Sequence, residues 1–460
     1  MIKKLFILLL ILGQGTGAYT QSVTIKGKAD KSYRNMTMKA YVYDDYISKR
    51  QKQIAQAPID EKGRFSISLP VATTTFVMLR MENKQATLYC EPGKTYEAAV
   101  FPPDSGTVET VGLPVPVNLS ISIADSAELN YLIYSFDEMH QAFLKMKMGW
   151  NMKDAPEFEK RIDTFTVRMK RKFAFAKNTY LQDYITYTCA QLQLTFKKND
   201  YLYNTYLKDK PVQYDHQEYM AFLDAFLTQV VTPASASSEL KKQVNDLENL
   251  GNIEKYFKAL KFMDNDRIRE IAMAQALAMG FQDATYKKDH LSGLLQAAAS
   301  SFTFPESRKI ASNLDYKNGR FLTGNKIMPF EGTDVNGKTV TSAELTGKYL
   351  YLAFFRSGCK VCEEQFRLIP DYMKKYGSKI QFVYISIDKD TAAMKEFLAL
   401  YPKTNWPVLW NNSDKIREDY SVVAIPLYYW ISPQGTFLQA PALEPGLDME
   451  KEFDRILKKR

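Results

Sequence analysis

The chain has 460 residues, too many for one core, so two or three domains are expected. Apolar and charged fractions of 45% and 25% are ordinary for a globular protein, and four cysteines in so long a chain do not make a disulfide scaffold. The formal charge is 61 − 52 = +9, but the basic residues lie beside acids and cluster only in short runs such as Arg168 to Lys172. They read as solvated helix faces and not as a nucleic-acid groove.

The first residues, 1–21, read as a secretory signal. Lys3 and Lys4 supply a positive end, Leu5 to Leu12 an apolar run too short to span a bilayer, and Gly17 and Ala18 a small-residue cleavage neighbourhood. No cysteine stands there to take a lipid anchor. The expected location is therefore the periplasm or cell envelope, an oxidising compartment.

Residues 22–116 read as a small β-sandwich. Strand patterns cover Val23 to Lys26, Met38 to Val42, Arg64 to Leu69 and Thr75 to Met81, and Leu88 to Tyr96 reads as strand, turn, strand. Pro102, Pro103, Pro114 and Pro116 mark an extended exit.

Residues 117–320 read as an all-α region. Glycine nearly vanishes and the 3.6-residue period predicts helices over 126–149, 155–176, 178–196, 216–231, 238–263, 265–281 and 287–302. Asp125 with Glu128, and Asp154 with Pro156 and Glu157, are start signals. The dense Tyr and Phe of this region read as core.

Residues 321–460 alternate strands and helices, an α/β pattern with a central sheet. Tyr349 to Phe355 and Ile380 to Ile387 are apolar throughout, as strands buried on both faces are. Helices are predicted over 359–376, 391–400 and 447–458, with strands at 427–431 and 436–438.

The pair Cys359 and Cys362 carries the chemistry. Cys359 falls where a buried strand ends and a helix begins, and the unpaired N–H groups and dipole there stabilise a thiolate. Lys360 adds a cation. Cys362 lies one turn later, placed to attack a mixed disulfide formed by Cys359. Cys359 is thus the expected nucleophile and Cys362 the resolving thiol.

The stretch Phe354-Phe-Arg-Ser-Gly-Cys-Lys-Val-Cys-Glu-Glu-Gln-Phe366 resembles the active-site segment of the TlpA/ResA-like thioredoxin family. Asp334-Val-Asn-Gly-Lys-Thr-Val340 and Leu345-Thr-Gly-Lys348 resemble its opening hairpin and lead-in, and Ile425-Pro-Leu-Tyr-Tyr-Trp-Ile431 with Pro433-Gln-Gly435 resembles its proline strand and hairpin. The resemblance covers about 322–460. The β and helical regions ahead of it look like the extra modules of exported Bacteroidetes proteins.

The resemblance implies a thioredoxin fold and a thiol:disulfide oxidoreductase that reduces disulfides of exported client proteins and is recharged by a membrane thiol-reductase donor. No cofactor or metal is implied. It makes Pro426 the candidate cis proline packed on the disulfide, with Ile425 presenting its backbone to the client. Gly358, Lys360 and Ile425 are the candidate client-binding residues. Three departures stand out. Gly358 replaces an aromatic residue, Ala353 replaces the buried acid of thioredoxins, and Gln365 replaces the Glu of ResA-like proteins. Those acids help to move the resolving thiol's proton, which leaves Glu363, Glu364 or water for that task. The alternative reading is a redox-sensitive binding or assembly protein whose thioredoxin-like domain has little activity.

Other signals are set aside. Gly332 to Thr339 matches a phosphate-loop pattern, but Asn336-Gly337 reads as a hairpin turn and Thr339 to Thr341 as the return strand. A zinc or copper site would want more ligands than the scattered His140, His216 and His290 offer. Peroxiredoxin-like sites place Pro and Thr ahead of the cysteine, where this chain has Leu352 and Arg356. Cys90 and Cys189 read as buried thiols, with a disulfide between them open.

Overall fold

The computed structural model describes residues 22–107, 113–123, 125–147, 155–247, 249–446 and 448–458. The leader expected over 1–21 and the helix-start residue Asp154 lie outside the described residues.

The first region is a two-sheet sandwich. Its strands are β1 Ser22–Ala29, β2 Thr37–Tyr43, β3 Gln51–Pro58, β4 Arg64–Pro70, β5 Thr75–Met81, β6 Lys84–Cys90, β7 Thr95–Val100, β8 Val115–Pro116 and β9 Leu119–Ile121. One sheet runs β4-β1-β7-β9 and the other β3-β2-β5-β6-β8. Alternate residues point inward, as Phe65, Ile67 and Leu69 do on β4, and meet Val77, Leu79 and Leu88 in one apolar core. Three strands, β3, β8 and β9, escaped the sequence reading. β3 is an edge strand with only Ala57 buried, and its polar and apolar residues do not alternate in the way that marks a strand. β9 extends the sandwich past residue 116 by pairing with β7.

The helical region contains α1 Leu129–Lys147, α2 Ala155–Lys172, α3 Thr179–Gln193, α4 Asn199–Tyr206, α5 Gln217–Ser235, α6 Ser238–Lys242, α7 Leu250–Lys258, α8 Asp266–Gly280, α9 Lys288–Ser301 and α10 Pro305–Gly319. The single helix predicted over 238–263 is a correction. A π turn at Gln243–Leu247 follows α6, and Asn249 caps a new helix by accepting the Asn252 N–H. Helices α4 and α10 were not predicted. α10 opens with Pro305 at its start and Glu306 in its first turn, a start signal that was present in the sequence.

Two apolar cores fill this region, and α3 serves both. Leu181, Tyr184, Ile185 and Cys189 face α1 and α2, while Tyr187 and Ala190 face the larger core under α5, α8 and α9. The sandwich docks onto both cores. Tyr89 on β6 packs on Tyr180 and Tyr184, and Ile47 from the β2–β3 loop enters the larger core.

The last region is a seven-stranded mixed sheet. It adds β10 Glu331–Thr333, β11 Thr339–Thr341, β12 Tyr349–Phe355, β13 Ile380–Ser386, β14 Val408–Trp410, β15 Leu427–Ile431 and β16 Phe437–Gln439. The order is β11-β10-β14-β13-β12-β15-β16, with β12, β13 and β14 parallel. The helices are α11 Lys360–Phe366, α12 Ile369–Tyr376, α13 Thr391–Ala399, α14 Asp414–Asp419 and α15 Met449–Lys458. Strand β12 is buried on both faces. Tyr351, Ala353 and Phe355 meet α11, α12, α13 and α15, while Leu350, Leu352 and Phe354 meet Ile416 and Tyr420 on the other side. The helix predicted over 359–376 is two helices. Pro370 has no N–H to give the Phe366 carbonyl, and the chain restarts as α12.

All three regions meet at α14. Lys39 and Tyr41 of the sandwich reach Asp414 at 3.3 and 3.0 Å. Arg50 bonds Asn313 of α10 at 3.0 Å, and Tyr316 of α10 donates to Asp419 at 2.9 Å. The Arg50 and Arg320 guanidinium groups both stack on the Tyr316 ring, at 4.0 and 4.6 Å, each such contact contributing on the order of 1 kcal/mol. Helix α14 feeds directly into the segment that carries Ile425 and Pro426.

Candidate active site

The site stands at the carboxyl end of β12, an interior strand next to the middle of the sheet, and open α/β sheets place their ligands at such strand ends. The Cys359 N–H closes the turn by donating to the Arg356 carbonyl at 3.3 Å. Gly358 has φ +75°, the left-handed region where a side chain is strained and glycine is not. Cys359 is the N-cap of α11, and its sulfur accepts the Cys362 N–H at 3.2 Å. The same N–H stands ready to stabilise a Cys359 thiolate after reduction.

Cys359 and Cys362 form a disulfide with Cα atoms 5.2 Å apart. The two sulfurs differ in access. Cys359 is half-buried, whereas Cys362 is 2% exposed and belongs to the apolar core. An incoming thiol or disulfide can reach Cys359, and Cys362 is shielded from everything but its partner.

The Ile425–Pro426 peptide is cis. Ile425 and Cys359 both pack against the apolar cluster that contains Cys362. Lys360 stands exposed at the first position of α11. The six residues named from sequence thus lie on two segments, 358–362 and 425–426, that border one cluster.

Two further side chains were not singled out in the sequence. Asp388, 2% exposed, follows β13 and holds the turn before the cysteines. Its Oδ1 accepts the Ser357 N–H at 3.0 Å and the Ser357 hydroxyl, its Oδ2 accepts the Ser386 hydroxyl at 2.6 Å, and its carbonyl accepts the Trp410 indole N–H at 2.9 Å. An acid directly after a buried strand was a readable signal, since strand ends of such sheets carry function. The second is Glu444, whose Oε2 accepts Gln365 Nε2 at 2.6 Å. Gln365 is itself buried, and its Oε1 accepts the Tyr428 hydroxyl at 2.6 Å. Glu363 is half-buried and Glu364 exposed on α11, and Ala353 is buried in the core.

Cys90 and Cys189 are free and buried. Adjacent residues of β6 point to opposite faces, so Cys90 enters the sandwich core while Tyr89 faces the helices beside Cys189. A disulfide between them is excluded by the sheet. Burial pushes both thiols up, Cys189 to about 11, which keeps them protonated and unreactive. The phosphate-loop pattern is a hairpin: β10 and β11 pair directly, and the Asp334 carboxylate accepts the Asn336 and Lys338 N–H groups. Among the described residues no group of three or more His, Cys, Asp or Glu gathers as a metal site.

Residues 323–439 match the AhpC/TSA family. The ResA thiol-disulfide oxidoreductase of Bacillus thuringiensis is 25% identical over 144 residues, 31% of this chain and 81% of that protein. ResA of Bacillus subtilis is 26% identical over 103 residues, 22% of this chain and 57% of the relative. Among solved structures, the thioredoxin domain of a thiol-disulfide oxidoreductase from Bacteroides vulgatus is 23% identical with a TM-score of 0.27, covering 30% of this chain and 99% of that one. A thiol-disulfide oxidoreductase from Bacteroides fragilis is 20% identical with a TM-score of 0.26, covering 29% and 99%. Residues 323–439 thus match the AhpC/TSA family, and the C-terminal region, a thioredoxin-like fold, is similar to the ResA thiol-disulfide oxidoreductases, with Cys359–Cys362 as its cysteine pair.

Proposed function

We propose that this chain is an exported thiol:disulfide oxidoreductase that reduces disulfides of client proteins in the periplasm or cell envelope. The observation that carries the reading is the unequal pair: an accessible Cys359 capping a helix and a buried Cys362 one turn behind it, beside the Ile425–Pro426 segment. Reduced Cys359 attacks a client disulfide, forming a Cys359–client bond and releasing one client thiolate. Cys362 then attacks the Cys359 sulfur, the Cys359–client bond breaks, and the second client thiol leaves. Two electrons pass to the client, and a membrane thiol donor restores the pair. Pro426 and Ile425 border the client chain, with Gly358 and Lys360 on the opposite side. The upstream modules, tied to α14, are the part of the chain that selects clients.

The test is a C362S variant of the full chain produced in its host. Cys359-linked adducts with cysteine-bearing exported proteins are expected, disappearing in the C359S/C362S double variant, on a protein that lacks its first ~20 residues. Adducts with cytosolic proteins alone, or none that require Cys359, would overturn the reading.

A further inference from the structure

The proposed exchange leaves one charge unexplained. Cys362 must stay a protonated thiol until Cys359 has bonded to a client, and Ala353 and Gln365 bring no acid to the places where relatives carry one. The structure brings a carboxylate from elsewhere. Gln365 lies one turn after Cys362 on the same buried face of α11. Its amide is held at both ends, with Nε2 donating to Glu444 and Oε1 accepting from Tyr428, each at 2.6 Å. Tyr428 stands directly opposite Ala353 in the β12–β15 register. The Tyr428–Gln365–Glu444 chain therefore runs from the site of the missing thioredoxin acid, past the site of the missing ResA-like acid, to a carboxylate half-buried in the loop before α15.

Charge near this chain is otherwise sparse. The phenols of Tyr351, Tyr384 and Tyr428 share the core with Cys362 and are all pushed up by burial, so they stay neutral. Tyr372 of α12 accepts the Gly446 N–H beside Glu444. On α11, Lys360 and Glu364 are exposed and Glu363 is half-buried, and Cys359 lies at its cap. On the outer surface Lys375 of α12 pairs with Glu450, while Tyr376 bonds Asp454 of α15. Arg367 leans over the Tyr401 ring at 5.9 Å. Among the described residues no lysine, arginine or histidine forms an ion pair with Glu444.

We propose that Glu444, acting through Gln365, is the positioning residue that keeps Cys362 a thiol in the reduced protein. A Cys362 thiolate would be a second negative charge one helical turn from the amide that holds the first, and like charges in low dielectric disfavour each other. The two cysteines are then split: helix N–H groups favour the Cys359 thiolate, and Glu444 disfavours the Cys362 thiolate. When Cys362 attacks the Cys359–client bond its proton passes to the departing client thiolate, so no net charge is left beside Glu444. The inference rests on the exchange reading above.

The experiment measures the titration of Cys362 by thiolate ultraviolet absorbance in a C359S background, with the reduced two-cysteine chain checked by pH-dependent alkylation and peptide mass analysis. Glu444→Gln is expected to lower the Cys362 titration by ~1 pH unit, raising its thiolate fraction at neutral pH about tenfold, and to leave the Cys359 profile in place. Glu444→Asp should keep most of the effect, and adding Gln365→Glu to Glu444→Gln should restore it. A Cys362 titration unmoved by Glu444→Gln overturns the inference while the wild-type chain still exchanges disulfides. A wild-type chain that exchanges none overturns the exchange reading instead.

Discussion

Replacing Cys359 by serine is expected to lower disulfide exchange to the rate of buffer thiols alone. The attacking species is a thiolate, and a serine hydroxyl at the same cap position cannot break a sulfur–sulfur bond. Its hydroxyl still accepts the Cys362 N–H, so α11 keeps its cap and the fold should survive. Reduction of a model disulfide substrate, followed by free-thiol release, measures this directly. The buried Cys362 cannot substitute, because at 2% exposure it has no path to a client. Appreciable residual exchange in C359S would place the chemistry elsewhere in the chain.

Asp388→Ala is expected to be the most damaging change outside the cysteines. It strips the acceptor from the Ser357 N–H, the Ser357 hydroxyl and the Ser386 hydroxyl. Ser386 is fully buried and has no access to replacement water. Losing a charged acceptor in such a place costs ~2–4 kcal/mol, and urea unfolding of the full chain should register it. The same change frees the turn from Phe355 to Cys359, and a nucleophile displaced by even ~1 Å loses rate on the order of tenfold or more. Asp388→Asn keeps one acceptor oxygen and should recover most of the stability. Wild-type stability and exchange in Asp388→Ala would show that the turn is held by Gly358 and the helix cap alone.

The sequence made the site legible because its two segments are local. A buried strand, a Cys-x-x-Cys helix start and a later proline strand can each be read within a short window, and β12, α11 and β15 stand there. The sandwich was legible where alternation was clean, as on β4, and not at β3, whose polar and apolar residues do not alternate. The helix break at 243–249 escaped because apolar periodicity continues across it, whereas the break at 367–368 was marked in the sequence by Pro370 and was passed over. Asp388 and Glu444 escaped for a different reason. Each acts on a residue 31 or 79 positions away, and only the folded sheet shows which backbone or amide an acid will meet. Gln365 read alone was a lost acid, whereas in the structure it is the link to one.

The reduction potential of the Cys359–Cys362 pair tests the central claim most directly. The full mature chain would be equilibrated with dithiol buffers and its free thiols trapped. The account predicts a reversible two-electron couple nearer to about −270 mV than to about −120 mV, the range spanned by known proteins of this fold. A potential near the upper figure would contradict a reductant, and a pair that never cycles would contradict thiol–disulfide exchange altogether.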